Sequence, residues 1–270
     1  MERIEKGGLF EEKLLEGLHQ RTIKINEPLE YHLSCKQNTD LFIQVEKATQ
    51  IKLIVEISKD AQCSIFLWNE SSEDIFLDEA YQVLEGGSLR LAYGDCDGNK
   101  SIRHVQVNLE KKGAEAVVKS TVLAQGKKEF KVVCTSKAPN TECRMENYGV
   151  VTGAGSYHLD AIGAIEKGSY QSQSHQTSRA LMVNGAPEAI IIPQLLIDEN
   201  DVNASHATSI GQVDENQMMY LQSRGLTQKQ VLELITVGYL MPIAEFIDHE
   251  ELKEMLAKKI ESKVKLACWT

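Results

Sequence analysis

The sequence predicts a mainly β chain that ends in helices, and three observations carry that prediction. Apolar residues alternate at Ile51, Leu53, Val55 and Ile57, and again at Val105, Val107 and Leu109; a period of two marks strands with one buried face. Helical periodicity is nearly absent between Arg21 and Ser209, where Val117, Val122, Phe130 and Val132 continue a β-rich composition. The breaks fall on glycine, with only 5 prolines in the chain. Short strands separated by glycine turns and without helices make a sandwich, a barrel or a solenoid.

Three regions follow in order. Residues 1–20 read as a short N-terminal helix, with Leu14, Leu15 and Leu18 at helical spacing. Residues 21–209 are the β core. Within it, KGAEAVVKSTVLAQG (112–126) and KGSYQSQSHQTSRALMVNG (167–185) resemble each other as loosely repeated rungs of irregular period. A strict six-residue apolar repeat is absent, which excludes a hexapeptide acyltransferase helix. Residues 210–270 are helical. Asp214 caps a helix bearing Met218, Tyr220 and Leu221 that stops at Gly225. Thr227 and Gln230 form a capping box before Val231, Leu234 and Ile235, and Gly238 ends that helix. Asp248 and Glu251 repeat the device before Leu252, Leu256 and Ile260.

Composition narrows the function. The 270 residues carry 29 Lys+Arg against 39 Asp+Glu, a net charge of −10. Nucleic-acid affinity rests on neutralising phosphates with a basic face, which this balance does not offer. The longest apolar run, Ala189 to Ile197, is broken by Pro193 and Gln194 and falls far short of the roughly 20 residues of a membrane span. The N-terminus is charged from Glu2 onward and does not read as a signal peptide. Six cysteines at 35, 63, 96, 134, 143 and 268 form no C-x-x-C pair. They read as reduced, buried thiols of a cytoplasmic protein, with the nine-residue spacing of Cys134 and Cys143 leaving most room for another role.

Few motifs carry chemistry. GDCDGNKS (94–101) lacks the second glycine of a phosphate loop, and Asp95 and Asp97 would repel phosphate. It fails as a calcium loop because Lys100 replaces the required glycine, so it reads as a surface turn. His158, with Asp160 on the same strand face, and His175 read as hydrogen-bonded strand histidines. His206 stands apart, at the seam between β core and helices, behind the acidic Asp198, Glu199 and Asp201. A neutral imidazole binds iron or zinc and carboxylates bind iron, which makes His206, with Asp201 and Glu199, the candidate metal-holding residues.

At this seam the stretch SHATSIGQVDENQMMYLQSRGLTQKQVLELITVGYL (205–240) resembles the signature of the SufB/SufD family of iron–sulfur cluster assembly proteins. SKAPNTECRMENYGVV (136–151) and HQTSRALMV (175–183) resemble two further family motifs, in the same order. The resemblance is close over about residues 128 to 247 and extends to the first 120 residues only by type of pattern. It implies a right-handed parallel β-helix followed by C-terminal helices, dimerisation through the β-helices, either as a homodimer or with a SufB-like subunit, and binding of the ABC-type ATPase SufC through the terminal helices. On this reading the chain is a non-enzymatic scaffold holding a transient iron–sulfur cluster, with no nucleotide loop of its own. Tyr239, Leu240 and Phe246 are the expected ATPase contacts, because the helical stripes exceed what one β-helix cap requires.

Two departures matter. SufB-type members accept sulfur on a cysteine near the Q-T-N-R stretch, where this chain has Arg179 and no cysteine between Cys143 and Cys268. SufD-type members often read C-S-H at the seam, where this chain reads Ala204-Ser205-His206. The histidine is kept, so the chain is more like SufD. The rival readings are a structural SufD paralogue that holds no cluster and a β-helix enzyme acting on polysaccharide.

Overall fold

Each strand lies beside the strand two places further along the chain. This pairing, seen in a computed structural model that describes residues 2–267, winds the chain into a parallel β-helix with two strands per coil. One sheet holds the odd strands: β1 (Glu2–Ile4), β3 (Gly17–Lys24), β5 (Thr39–Lys47), β7 (Gln62–Asn69), β9 (Ser88–Asp95), β11 (Glu115–Ala124), β13 (Glu142–Gly153), β15 (Ser172–Gly185) and β17 (Val202–Gln212). The other holds the even strands: β2 (Gly8–Leu14), β4 (Leu29–Cys35), β6 (Gln50–Ile57), β8 (Ile75–Val83), β10 (Ser101–Leu109), β12 (Lys127–Ser136), β14 (Ser156–Ile165) and β16 (Glu188–Ile197). The coil lengthens toward the C-terminus, for Leu29 lies beside Ile51 but Leu159 beside Ile191. That drift is why the repeat is irregular in the sequence. The two rungs at 112–126 and 167–185 are β11 and β15 with the turns before them.

The alternating residues do what their period dictates. Ile51, Leu53, Val55 and Ile57 of β6 and Val105, Val107 and Leu109 of β10 point between the sheets and are buried. At full burial each such side chain contributes about 1.5–3 kcal/mol. The outer face of the odd sheet is also apolar. Phe42 and Phe66 stack there in successive coils, ring centroids 5.7 Å apart, and Trp68, two residues beyond Phe66 on the same strand, stacks on it at 6.3 Å. Gly94 continues that column because a Cβ would sit 2.3 Å from the Trp68 ring. An apolar outer face needs a cover, and the C-terminal helices supply it. α1 (Glu215–Ser223), α2 (Gln228–Leu240), a 3-10 turn (Met241–Phe246) and α3 (Glu250–Ala267) follow β17. Leu232, Leu240, Ile243, Leu252, Leu256, Ile260 and Val264 bury against Phe42, Phe66, Trp68, Ala92, Leu123 and Val150. Ion pairs from Lys259 to Glu70 (2.6 Å) and from Lys263 to Asp97 fasten α3 at the margin.

The cap signals at Asp214 and in the Thr227–Gln230 box are in place. Gly238 does not stop α2, which runs on to Leu240 because its outward side is open and its inward side packs on β13. β17 likewise extends to Gln212, past the expected end of the β core.

The expected N-terminal helix is not formed. Residues 2–24 are β1, β2 and β3, the first coil of the β-helix. Gly8 and Gly17 have φ of 113° and 104° at the corners, a conformation outside the helical region that glycine adopts without strain. The leucine spacing misleads because its members face opposite ways: Leu14 is buried while Leu15 is 69% exposed. Arg21 ties this coil together by pairing with Glu12, which also accepts from the Tyr31 hydroxyl. Burial opposes charge on Glu12, but the Arg21 and Tyr31 hydrogen bonds outweigh it and hold the carboxyl below its ordinary value. A depressed carboxyl stabilises the fold above its unfolded value, about 4.3, and loses that contribution as pH falls through the folded value. Amide exchange in β2 and β4, corrected for intrinsic rate, should therefore rise below about pH 4. The Glu12→Gln variant should lack that acid-dependent rise.

Two cysteine readings change. Cys134 and Cys143 form a disulfide across one coil corner, so they are not reduced thiols. GDCDGNKS is not a surface turn, since Asp95 and Ser101 are wholly buried and Asn99 nearly so. Cys35, Cys63 and Cys96 are buried free cysteines, as expected, and Cys268 lies outside the described residues.

Candidate functional site

Successive strands cover one another everywhere except at the two ends, so the last coil, β16 and β17, is where the interior of the helix opens. In β15 the inward residues Ser174, Gln176 and Ser178 are buried. Their register partners on β17 are Ala204, His206 and Thr208. His206 thus continues an interior column and is exposed only because no further coil lies over it. Below it the Gln176 amide donates to the Gln194 carbonyl at 2.9 Å. The Gln176 Oε1 and Ser174 Oγ are buried with no hydrogen-bond partner.

The backbone at this end is unpaired on one side. Gln171 N–H donates to the Asp201 carbonyl, and in a parallel ladder alternate residues bond to alternate neighbours. Odd residues of β17 therefore bond back to β15, which leaves the peptide groups of Ala204, His206 and Thr208 at the free edge. On β16, Glu188 and Asp198 bond back to the preceding coil, so Ile191, Pro193 and Leu195 face the free edge. Pro193, lacking an N–H, sits where no ladder bond is lost. Apolar side chains accompany the open edges, with Ile190, Ile192, Leu196, Ile197 and Ile210 all exposed.

Of the candidate iron-holding residues, only His206 keeps a position suited to that role. Glu199 lies in the turn before β17, where its carboxylate accepts from the backbone N–H of Gly168 at 3.0 Å and of Asn200 at 2.8 Å. Those two bonds hold it below the ordinary carboxylate range, so it serves as a turn cap. Asp201 precedes the strand by one residue, and five residues of strand place it about 16 Å from His206 and on the opposite face. The structure does not bring Asp201 and Glu199 to His206. Among the described residues no group of three or more His, Cys, Asp or Glu is disposed to hold a metal ion. His158 pairs with Asp160 at 3.2 Å and His175 with Ser205 at 2.8 Å, as strand histidines do.

The expected ATPase contacts are turned largely inward. Leu240 is fully buried beneath α2, and this corrects its assignment as a surface contact. The Tyr239 ring meets Tyr148 edge-on at 6.2 Å, and Phe246 lies under Arg90, 4.6 Å from its ring centroid. The apolar stripes of the helices are taken up by the cover that Phe42, Phe66 and Trp68 require. The exposed apolar residues of this segment are Met219, Tyr220, Leu234 and Leu266. α1 buries none of its own residues.

Sequence reasoning missed an ionic core. Arg103 makes two bonds to Glu79, at 2.6 and 3.0 Å, between the sheets and out of contact with water. Its guanidinium lies 4.2 Å from the Tyr93 ring centroid, and Tyr81 donates to the same carboxylate at 2.6 Å. One coil away Lys128 bonds Asp95 at 2.8 Å and Asn99 at 2.9 Å, both partners from the misread 94–101 segment. The available signal was a charged residue at an inward position of each alternating run.

No described helix is long and apolar enough to cross a membrane. Residues 23–239 match the family described as SUF system FeS cluster assembly, SufBD core domain. The chain is 32% identical over 176 residues to the iron–sulfur cluster assembly protein SufD of Bacillus subtilis, covering 64% of this chain and 40% of that protein. It is 31% identical over 130 residues to an iron–sulfur cluster assembly SufBD family protein of Mycobacterium tuberculosis, covering 47% of this chain and 15% of that protein. Similarity to the SufD of Escherichia coli is 25% identity over 111 residues, covering 41% and 26%. The chain thus spans less than half the length of these relatives. With the family match running through all but the first coil and the last helix, the chain belongs to the SufBD core-domain family of the SUF system.

Proposed function

We propose that this chain is a cytoplasmic scaffold subunit for iron–sulfur cluster assembly, with SufD-like character and no catalytic residues of its own. Two subunits, this chain with a second copy or with a SufB-like partner, would meet through their terminal coils. The observation that supports this is the position of His206 on an interior column left open beside two unpaired strand edges. Open edges bearing apolar side chains are aggregation hazards unless covered, and a two-fold pairing covers both at once. It also places two copies of His206 at one joint, which repairs the shortage of ligands in a single chain. Imidazole holds iron less tenaciously than thiolate does, which suits a cluster that must be passed on.

A SufC-type ABC ATPase would drive the cycle, and its contact would be the exposed side of α1 and α2 around Met219, Tyr220 and Leu234. Deleting residues from Thr227 onward is a poor probe of that contact, because it uncovers Phe42, Phe66 and Trp68. Single substitutions at Met219 and Tyr220 leave the cover in place.

A second reading, a structural subunit that holds no cluster, is favoured by the absence of a ligand trio among the described residues. Anaerobic reconstitution with ferrous iron and sulfide separates the two. The native chain should develop charge-transfer absorbance, and His206→Ala, with an unchanged melting curve, should lose most of it. Equal absorbance from both chains removes His206 from the site and favours the structural subunit.

A further inference from the structure

We propose that Cys35 and Cys63 form a second, oxidation-dependent disulfide that staples two successive coils of the β-helix. Cys35 ends β4 of the even sheet and Cys63 is the second residue of β7 of the odd sheet; both point between the sheets and are buried. Their Sγ atoms lie 2.7 Å apart. Cys35 is registered beside Ile57, the last residue of β6, and Cys63 beside Thr39, the first of β5. The bond therefore runs diagonally across one corner, from one coil to the next. The Cys134–Cys143 disulfide stands at the same corner further along, with Cys63, Leu89, Ala116 and Cys143 in one column of the odd sheet. It closes its corner within a single coil, whereas Cys35–Cys63 would join two.

Closure is a two-electron step. Two S–H bonds break, one S–S bond forms, and two protons and two electrons pass to a small disulfide such as oxidised glutathione, which leaves as two thiols. The Cys35 contact and burial together hold the Cys63 thiol well above its ordinary range, so this thiol reacts slowly while the coils stay closed. Access comes by local opening of the coils. Cys96 supplies an internal control: it is buried under the C-terminal helices and free.

The experiment compares the full chain after thiol reduction and after incubation with oxidised glutathione. Each sample is acid-quenched, unfolded in guanidinium with N-ethylmaleimide, digested and mapped by mass spectrometry. The oxidised sample should yield a cross-linked peptide pair containing Cys35 and Cys63, with Cys96 alkylated, and the reduced sample should show Cys35 and Cys63 alkylated. The oxidised chain should also melt about 5 °C above an equally treated Cys35→Ser/Cys63→Ser chain. Separate alkylation or glutathionylation of Cys35 and Cys63 after oxidation overturns the proposal. The peptide map decides on the native chain even where the serine variant fails to fold.

Discussion

Replacing Arg103 by leucine is expected to cost about 3–5 kcal/mol of unfolding free energy, among the largest losses available to a single substitution in this chain. The reason lies in what remains. Glu79 is fully buried between the sheets, and Arg103 is the cation bonded to its carboxylate, through two hydrogen bonds. Burial acts to strip the charge from Arg103, and Glu79 more than restores it, so the guanidinium keeps its charge against this carboxylate. Removing one member strands the other charge in a medium that cannot solvate it. The double change Arg103→Leu/Glu79→Gln should recover most of the loss, since it removes both charges and leaves Tyr81 an acceptor. Urea unfolding measures both variants. A single-variant loss below about 1 kcal/mol would contradict an ionised pair.

Leu256→Ala should cost about 2–5 kcal/mol and release the helical cover. Leu256 is fully buried at the centre of the α3 stripe, over the stacked aromatic column. The loss should be localised. Exchange protection should fall in α2 and α3 and over Phe66 and Trp68, while the inward ladder of β6, β8 and β10 keeps its own. Uniform loss of protection across both sheets would show that cover and β-helix unfold as one unit. ATPase binding should weaken in the same variant, because α1 and α2 are placed by the cover that α3 completes.

The sequence shows the β core and the capped helices because each is a local pattern. Alternation at Ile51 to Ile57 needs no knowledge of what lies opposite, and Thr227 with Gln230 closes its own box. What stayed hidden depends on partners distant in sequence. Residues 2–19 read as helix because Leu14, Leu15 and Leu18 share a spacing, while the glycine corners that turn them to opposite sides act through φ. Leu240 and Phe246 read as partner contacts because the apolar outer face under them becomes visible only when Phe42, Phe66 and Trp68 stack. Arg103 and Lys128 carry no local sign of a partner, because Glu79 and Asp95 reach them only between the sheets of the folded chain. His206 is singled out in the sequence by its place at the seam, whereas Asp201 and Glu199 are near it in sequence alone, and strand geometry separates them.

On the proposed function, the cluster site is built where two terminal coils meet. Native mass spectrometry of the anaerobically reconstituted chain, with its ATPase and any SufB-like subunit of the same cell present, tests it most directly. Iron and sulfide mass should appear only on species containing two β-helix subunits, and should be lost together with subunit pairing when Ile192 and Leu196 are both changed to lysine. Cluster mass carried by a single β-helix subunit would contradict it.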